Sequence, residues 1–202
     1  LYHGVPAAGR VLTFLNHRLS GPELAALVGA TLDMQLSQLT LTFNDVIEPS
    51  TLKVTSITVQ SAATSVAGKT VVLTTDSTTS TTDGYVIVID LCRADVLSLN
   101  KISGLAKSSA TTYIVIQASV VDDLKGRDVL AVTDGNGLQA SFVADTTRPT
   151  LLSFDLNMNT NKLTMSFSEA LAPTSITPAA QLTIQNALTK TIGRTLTAGS
   201  VD

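Results

Sequence analysis

The strongest constraint on this chain is that it contains part of itself twice. Leu32-Asp33-Met34-Gln35-Leu36-Ser37-Gln38-Leu39-Thr40-Leu41-Thr42-Phe43 aligns with Leu156-Asn157-Met158-Asn159-Thr160-Asn161-Lys162-Leu163-Thr164-Met165-Ser166-Phe167, about 124 residues further on. The correspondence runs on through Asp45 with Glu169, Pro49 with Pro173 and Leu52 with Ile176. After one inserted residue, Ile57-Thr58-Val59-Gln60 falls on Leu182-Thr183-Ile184-Gln185. Agreement over so many positions with one gap marks a structural repeat. The 202 residues hold about one and a half units.

Within the unit, apolar and polar residues alternate. Leu39, Leu41 and Phe43 share one face and Thr40 and Thr42 the other, the period of a half-buried strand. The pattern recurs at residues 56–59, 70–74, 85–89, 112–116 and 138–143, between breaks rich in Gly, Ser, Asp and Pro. Short β-branched strands at this spacing predict an all-β sandwich or barrel. Residues 95–102 instead carry apolar residues at helical spacing behind Asp95, a cap candidate, with Gly104 past the end, and predict one short helix.

The repeat sets the expected organisation: an N-terminal arm over 1–22, a complete unit over 23–148 and the first half of a second over 149–202. The joint, Ala144-Asp145-Thr146-Thr147-Arg148-Pro149-Thr150, is too short for a free linker. Half a sandwich has open sheet edges and an uncovered apolar face, so something must complete it. In the arm, Arg10-Val11-Leu12-Thr13-Phe14-Leu15, followed by Gly21-Pro22, resembles the closing strand Gln139-Ala140-Ser141-Phe142-Val143 and its Pro149 joint. Either the chain is a segment of a longer array, or a leading strand from one copy completes the next by strand addition.

Three stretches carry a family resemblance. They are Asp145-Thr146-Thr147-Arg148-Pro149, then Ser153-Phe154-Asp155-Leu156-Asn157-Met158-Asn159, then Leu163-Thr164-Met165-Ser166-Phe167-Ser168-Glu169. They resemble the D-T-T-x-P joint and the S-F-x-L-D-M-N and L-T-L-T-F-S-E strands of immunoglobulin-like repeats in large extracellular proteins of protists, algae and bacteria. The resemblance covers roughly residues 30–202 and implies an immunoglobulin-like β-sandwich at the cell surface or in a fibre. Such modules serve as stalks, adhesin spacers and fibre subunits alike, so it implies no single activity. Where the family often has V-x-D-x-x-G-N, this chain has Val121-Asp122-Asp123-Leu124-Lys125-Gly126-Arg127, with Arg127 in place of Asn.

Functional chemistry is sparse. A net charge of −3 gives no electrostatic footprint for nucleic acid, and no apolar run approaches the roughly 18 residues of a membrane span. Neither His3 nor His17 lies near a nucleophile motif, and the lone Cys92 reads as an inert thiol ahead of the helix. No enzyme is expected. Asp122, Asp123 and Asp128 are weak calcium candidates, because Asp-rich turns form equally well without an ion. No N-linked sequon occurs, but hydroxyls crowd residues 74–82 and 174–177, making Thr78, Thr79, Thr81, Thr174, Ser175 and Thr177 candidates for O-linked glycans.

The expectation is therefore a structural protein without cofactor whose partners are copies of itself, head to tail. Val11, Leu12, Phe14 and Leu15 are expected to act as an inserted strand and Leu163, Met165 and Phe167 as the receiving core, with Asp145 to Pro149 as the joint. The alternative is an adhesin-type module recognising a glycan or surface protein. With no Trp and three Tyr, stacking platforms for sugar are few.

Overall fold

The computed structural model describes residues 23–169, 171, 181–189 and 191–197. The protein is all-β with one short helix. In the first unit the elements are β1 (Leu27–Asp33), β2 (Gln38–Glu48), β3 (Ile57–Gln60), β4 (Thr70–Val72), β5 (Thr78–Thr79), β6 (Gly84–Asp90), α1 (Arg93–Lys101), β7 (Tyr113–Ile116), β8 (Asp122–Asp123), β9 (Leu138–Gln139) and β10 (Ser141–Val143). One sheet runs β10-β1-β2-β6-β5 with β8 added to the end of β2; the other runs β4-β3-β7-β9.

Alternation accounts for the packing. Leu39, Leu41 and Phe43 of β2 and Ile87 and Ile89 of β6 point inward from the first sheet, Ile57 and Val59 of β3 and Ile114 and Ile116 of β7 from the second, all into one buried core. The intervening Thr40, Thr42 and Val88 stay partly accessible. Each fully buried aliphatic side chain contributes on the order of 1.5–3 kcal/mol, so this shared core is what fastens the two sheets.

Three local expectations need correction. The stretch 138–143 is two strands in two sheets: Leu138 pairs with Ile114 of β7, while Ser141–Val143 pair in parallel with Thr31–Asp33 of β1. Inward pointing continues across the switch, with Ala140 buried and its N–H donating to the Thr112 carbonyl (2.9 Å), so the period of two cannot reveal the change of partner. The helix starts earlier than expected, with Cys92 as its N-cap and Sγ accepting from the Asp95 N–H; Asp95 sits a turn inside and is buried. The hydroxyl-rich stretch 74–82 is no free loop, because β5 pairs with Ile89 and Asp90 of β6.

Beyond the joint come β11 (Leu151–Asn157), β12 (Lys162–Phe167), β13 (Thr183–Gln185) and β14 (Gly193–Thr195), forming two hairpins. The first copies β1–β2 residue for residue. Leu151 opposes Phe167 as Leu27 opposes Phe43, both ladders carry a bulge at the next position, and Leu156 opposes Leu163 as Leu32 opposes Leu39. Both turns place a residue at positive φ, Ser37 at 55° and Asn161 at 56°, and in both a side-chain oxygen (Asp33, Asn157) accepts the backbone N–H three residues on. The second hairpin copies β3–β4: Gln185 opposes Gly193 as Gln60 opposes Thr70, and Leu196 donates to the Leu182 carbonyl as Leu73 does to Ile57.

Candidate assembly surface

Identical register produces different burial in the two copies. Leu27, Leu32 and Met34 are 8%, 0% and 5% exposed, whereas their counterparts Leu151, Leu156 and Met158 are 49%, 39% and 72% exposed. Phe154, at the position of Ala30, is 66% exposed. Leu163, Met165 and Phe167, expected as the receiving core, do share one face of β12 and alternate with exposed Lys162, Thr164 and Ser166, but they remain half-exposed where Leu39, Leu41 and Phe43 are buried.

The cause is strand composition. In the first unit β1 is flanked by β10, β2 by β6 and β3 by β7, and each sheet shields the other. The described part of the second unit holds the equivalents of β1, β2, β3 and β4 only, so β11, β12 and β13 each show an edge with no partner among the described residues. Open edges beside an apolar face are templates for pairing with another chain. The intended donor, Val11, Leu12, Phe14 and Leu15, lies outside the described residues, as do His3 and His17.

The joint is tied down by a residue that sequence reasoning missed. Gln35, in the β1–β2 turn, accepts the Thr146 N–H (3.1 Å) and hydroxyl (3.2 Å) on Oε1, and its Nε2 donates to Thr147 Oγ1. Asp145 Oδ1 accepts the Thr147 N–H at 2.9 Å. Pro149 is exposed beyond them. The repeat alignment pairs Gln35 with Asn159, another amide at the same turn, and that was the available signal.

Of the hydroxyl candidates, Thr78 is exposed. Thr79 Oγ1 donates to the Val88 carbonyl at 2.6 Å, and Thr81 Oγ1 accepts the Val88 N–H at 3.0 Å, so both are half-buried and already engaged in holding the β5 edge. Thr174, Ser175 and Thr177 lie outside the described residues.

The acidic turn supplies its own cation. Asp123, 3% exposed, accepts the Lys125 and Arg127 N–H groups on Oδ1, while Oδ2 takes Arg127 Nε at 2.7 Å and the guanidinium NH2 at 2.5 Å. The side-chain hydrogen bond from Arg127, assisted by the two N–H groups, lowers its pKa to about 2. Asp122 points to the opposite side of β8 from Asp123, and Asp128 is exposed, so the three carboxylates do not converge. Among the described residues no group of three His, Cys, Asp or Glu is placed to hold a metal ion.

Two further polar clusters brace loops. Asp134 accepts the Ser65 N–H and hydroxyl at 2.6 Å each, with help from the Gly135 N–H, and its pKa falls for that reason. Buried Asp95 accepts the Thr74 N–H and the Ser77 hydroxyl (2.7 Å), while Ser77 Oγ accepts the Cys92 N–H (2.8 Å); the thiol is half-buried within this network. The partners named for these clusters are groups of the same unit. No family model, no curated protein and no solved structure matches the chain.

Proposed function

We propose that this chain is a structural subunit of an extracellular fibre or cell-surface stalk, built of immunoglobulin-like repeats joined head to tail. The strand order supports the immunoglobulin-like reading: β1-β2-β6-β5 and β3-β7-β9 follow the ABED and CFG sheets of that fold. The observation that carries the assembly reading is a second set of hairpins with the first unit's register and an exposed face where the first unit has core.

The function is mechanical. A unit with a fastened core resists extension, the Gln35 clamp limits rotation at the joint, and completing the open face joins one unit to the next. Burial of roughly 1,000 Å² or more at such a contact is the scale of a persistent interface. Exposed hydroxyls such as Thr78 are the positions left for O-linked sugar on the surface of the rod.

Negative-stain electron microscopy of the purified chain over a range of concentrations tests the reading. Rods with a regular bead, lengthening as concentration rises, are the expected result. Single globules of one size at every concentration would overturn it.

A further inference from the structure

We propose that Asn136 is a covalent modification site of this chain: its deamidation by the Gly137 nitrogen is held back by the tether of the 133–137 loop to Ala63 and is released when that tether opens. The inference goes beyond the assembly reading, does not depend on it, and uses only the first unit.

Asn136-Gly137 is the one Asn-Gly pair in the sequence. In such a pair no side chain screens the following backbone nitrogen, so it can close on the amide carbon. The Gly137 nitrogen gives up its proton to water and attacks Asn136 Cγ; the N–Cγ bond forms, the Cγ–Nδ2 bond breaks and ammonia leaves. Water then opens the succinimide ring at either carbonyl, giving aspartate or isoaspartate. Water is the only co-reactant, and Thr133 to Asn136 are exposed to it.

The exposed loop withholds the nitrogen. The Gly137 N–H donates to the Ala63 carbonyl at 3.0 Å, and the Gly135 N–H donates to the same oxygen at 3.0 Å. Asn136 is fixed as well, its N–H donating to the Thr133 carbonyl (3.0 Å) and its Nδ2 to Thr133 Oγ1 (3.2 Å). Asp134 anchors the loop by accepting the Ser65 N–H and hydroxyl at 2.6 Å each, and buried Gln60 donates from Nε2 to the Ala62 and Ala63 carbonyls at 2.9 Å. Ring closure requires the Gly137 nitrogen to leave Ala63 and turn to Cγ, so the loop must first come away from residues 60–65.

Packing accounts for the labile pair and for what its product does. A Cβ at 137 would lie 3.0 Å from Gln60 Nε2 and 3.1 Å from the Ala63 carbonyl oxygen, so glycine alone fits there. Isoaspartate inserts a methylene into the backbone directly before Gly137, where that contact leaves no room for one more carbon. The loop cannot close again over this product, and a transient opening becomes a permanent one. The Asp134-Gly135 pair in the same loop is not the site: hydrogen bonds from Ser65 lower the pKa of Asp134 and keep it a carboxylate, a poor electrophile.

Peptide mapping by mass spectrometry tests this on the full chain, incubated at mildly alkaline pH both folded and in urea. Asn136 should convert at least about tenfold more slowly in the folded chain, the scale of an opening that breaks a few hydrogen bonds. Asp134→Ala and, more mildly, Ser65→Ala loosen the anchor. Each should speed conversion in the folded chain and leave the rate in urea unchanged, and the gain should follow the hydrogen-exchange rate of the Gly137 amide. The isolated isoaspartate form should exchange quickly at Gly135 and Gly137 while the β2 and β6 amides stay protected. Equal rates in the folded and unfolded chain overturn the proposal. So does a variant that exchanges faster at Gly137 yet converts no faster, or an isoaspartate form whose loop exchanges as slowly as the parent's.

Discussion

Leu32 and Leu156 are the same residue at the same place in the repeat, and their response to truncation should differ by what covers them. Leu32 is fully buried under the facing sheet. Leu32→Ala removes those contacts and leaves a cavity, at about 2–5 kcal/mol. For a unit of this size, with roughly 4 °C lost per kcal/mol, a central value near 3 kcal/mol lowers the melting temperature by about 12 °C. Leu156 is 39% exposed, so Leu156→Ala in a dilute, unassembled sample should cost about 1 kcal/mol or less and leave the first unit's transition in place. Once assembly covers β11, Leu156→Ala should become as costly as Leu32→Ala, seen as a concentration-dependent transition that the variant loses. Circular dichroism melts at low and high protein concentration measure both. A Leu156→Ala loss equal to that of Leu32→Ala in the dilute sample would refute the reasoning, because it would mean that the face is already covered within one chain.

Gln35→Ala removes three hydrogen bonds to the joint. It should leave the first unit's melting nearly unchanged while broadening the distance distribution between spin labels at Asn100→Cys and Thr164→Cys in a Cys92→Ser background. Asp123 has a folded pKa of about 2 against an ordinary 3.8, so the stability it contributes is complete above about pH 4 and is lost as pH falls towards 2. Arg127→Ala should shrink that acid-limb change in the urea midpoint. Gly137→Ala would put a Cβ 3.0 Å from Gln60 Nε2 and 3.1 Å from the Ala63 carbonyl, and should cost roughly 1–3 kcal/mol by overpacking, read from urea unfolding. Asp95→Ala strands the buried Ser77 hydroxyl and the Thr74 N–H, at roughly 1–3 kcal/mol in the same assay.

What the sequence made legible was whatever repeats or alternates. The alignment of residues 32–43 with 156–167 anticipated a structural repeat, which the structure shows as two hairpins of one register, and the alternation in 38–43 anticipated which side chains face the core. Pairing partners were not legible. Leu138, Ala140 and Phe142 all point inward, yet the strand leaves β7 for β1 between them, and a pattern of period two carries no mark of that change. β5 and β8 are two-residue strands, too short for any periodicity to register. The candidate surface was legible as an apolar stripe at Leu163, Met165 and Phe167, but the exposure of Leu151, Leu156 and Met158 on β11 beside it shows only in the structure. Gln35 was missed because the one sign of it, an amide at the same turn in both copies, says nothing of a partner until the joint is seen folded against it.

Hydrogen–deuterium exchange of the backbone amides of β11 and β12, compared with those of β1 and β2 in the same sample, tests most directly whether the second copy is completed by assembly. At low concentration the β11 and β12 amides should exchange quickly while those of β1 and β2 stay protected, and in assembled rods the two sets should converge on the same slow rates. Equal protection of both sets in a dilute monomer would contradict it, as would rods in which β11 and β12 still exchange quickly.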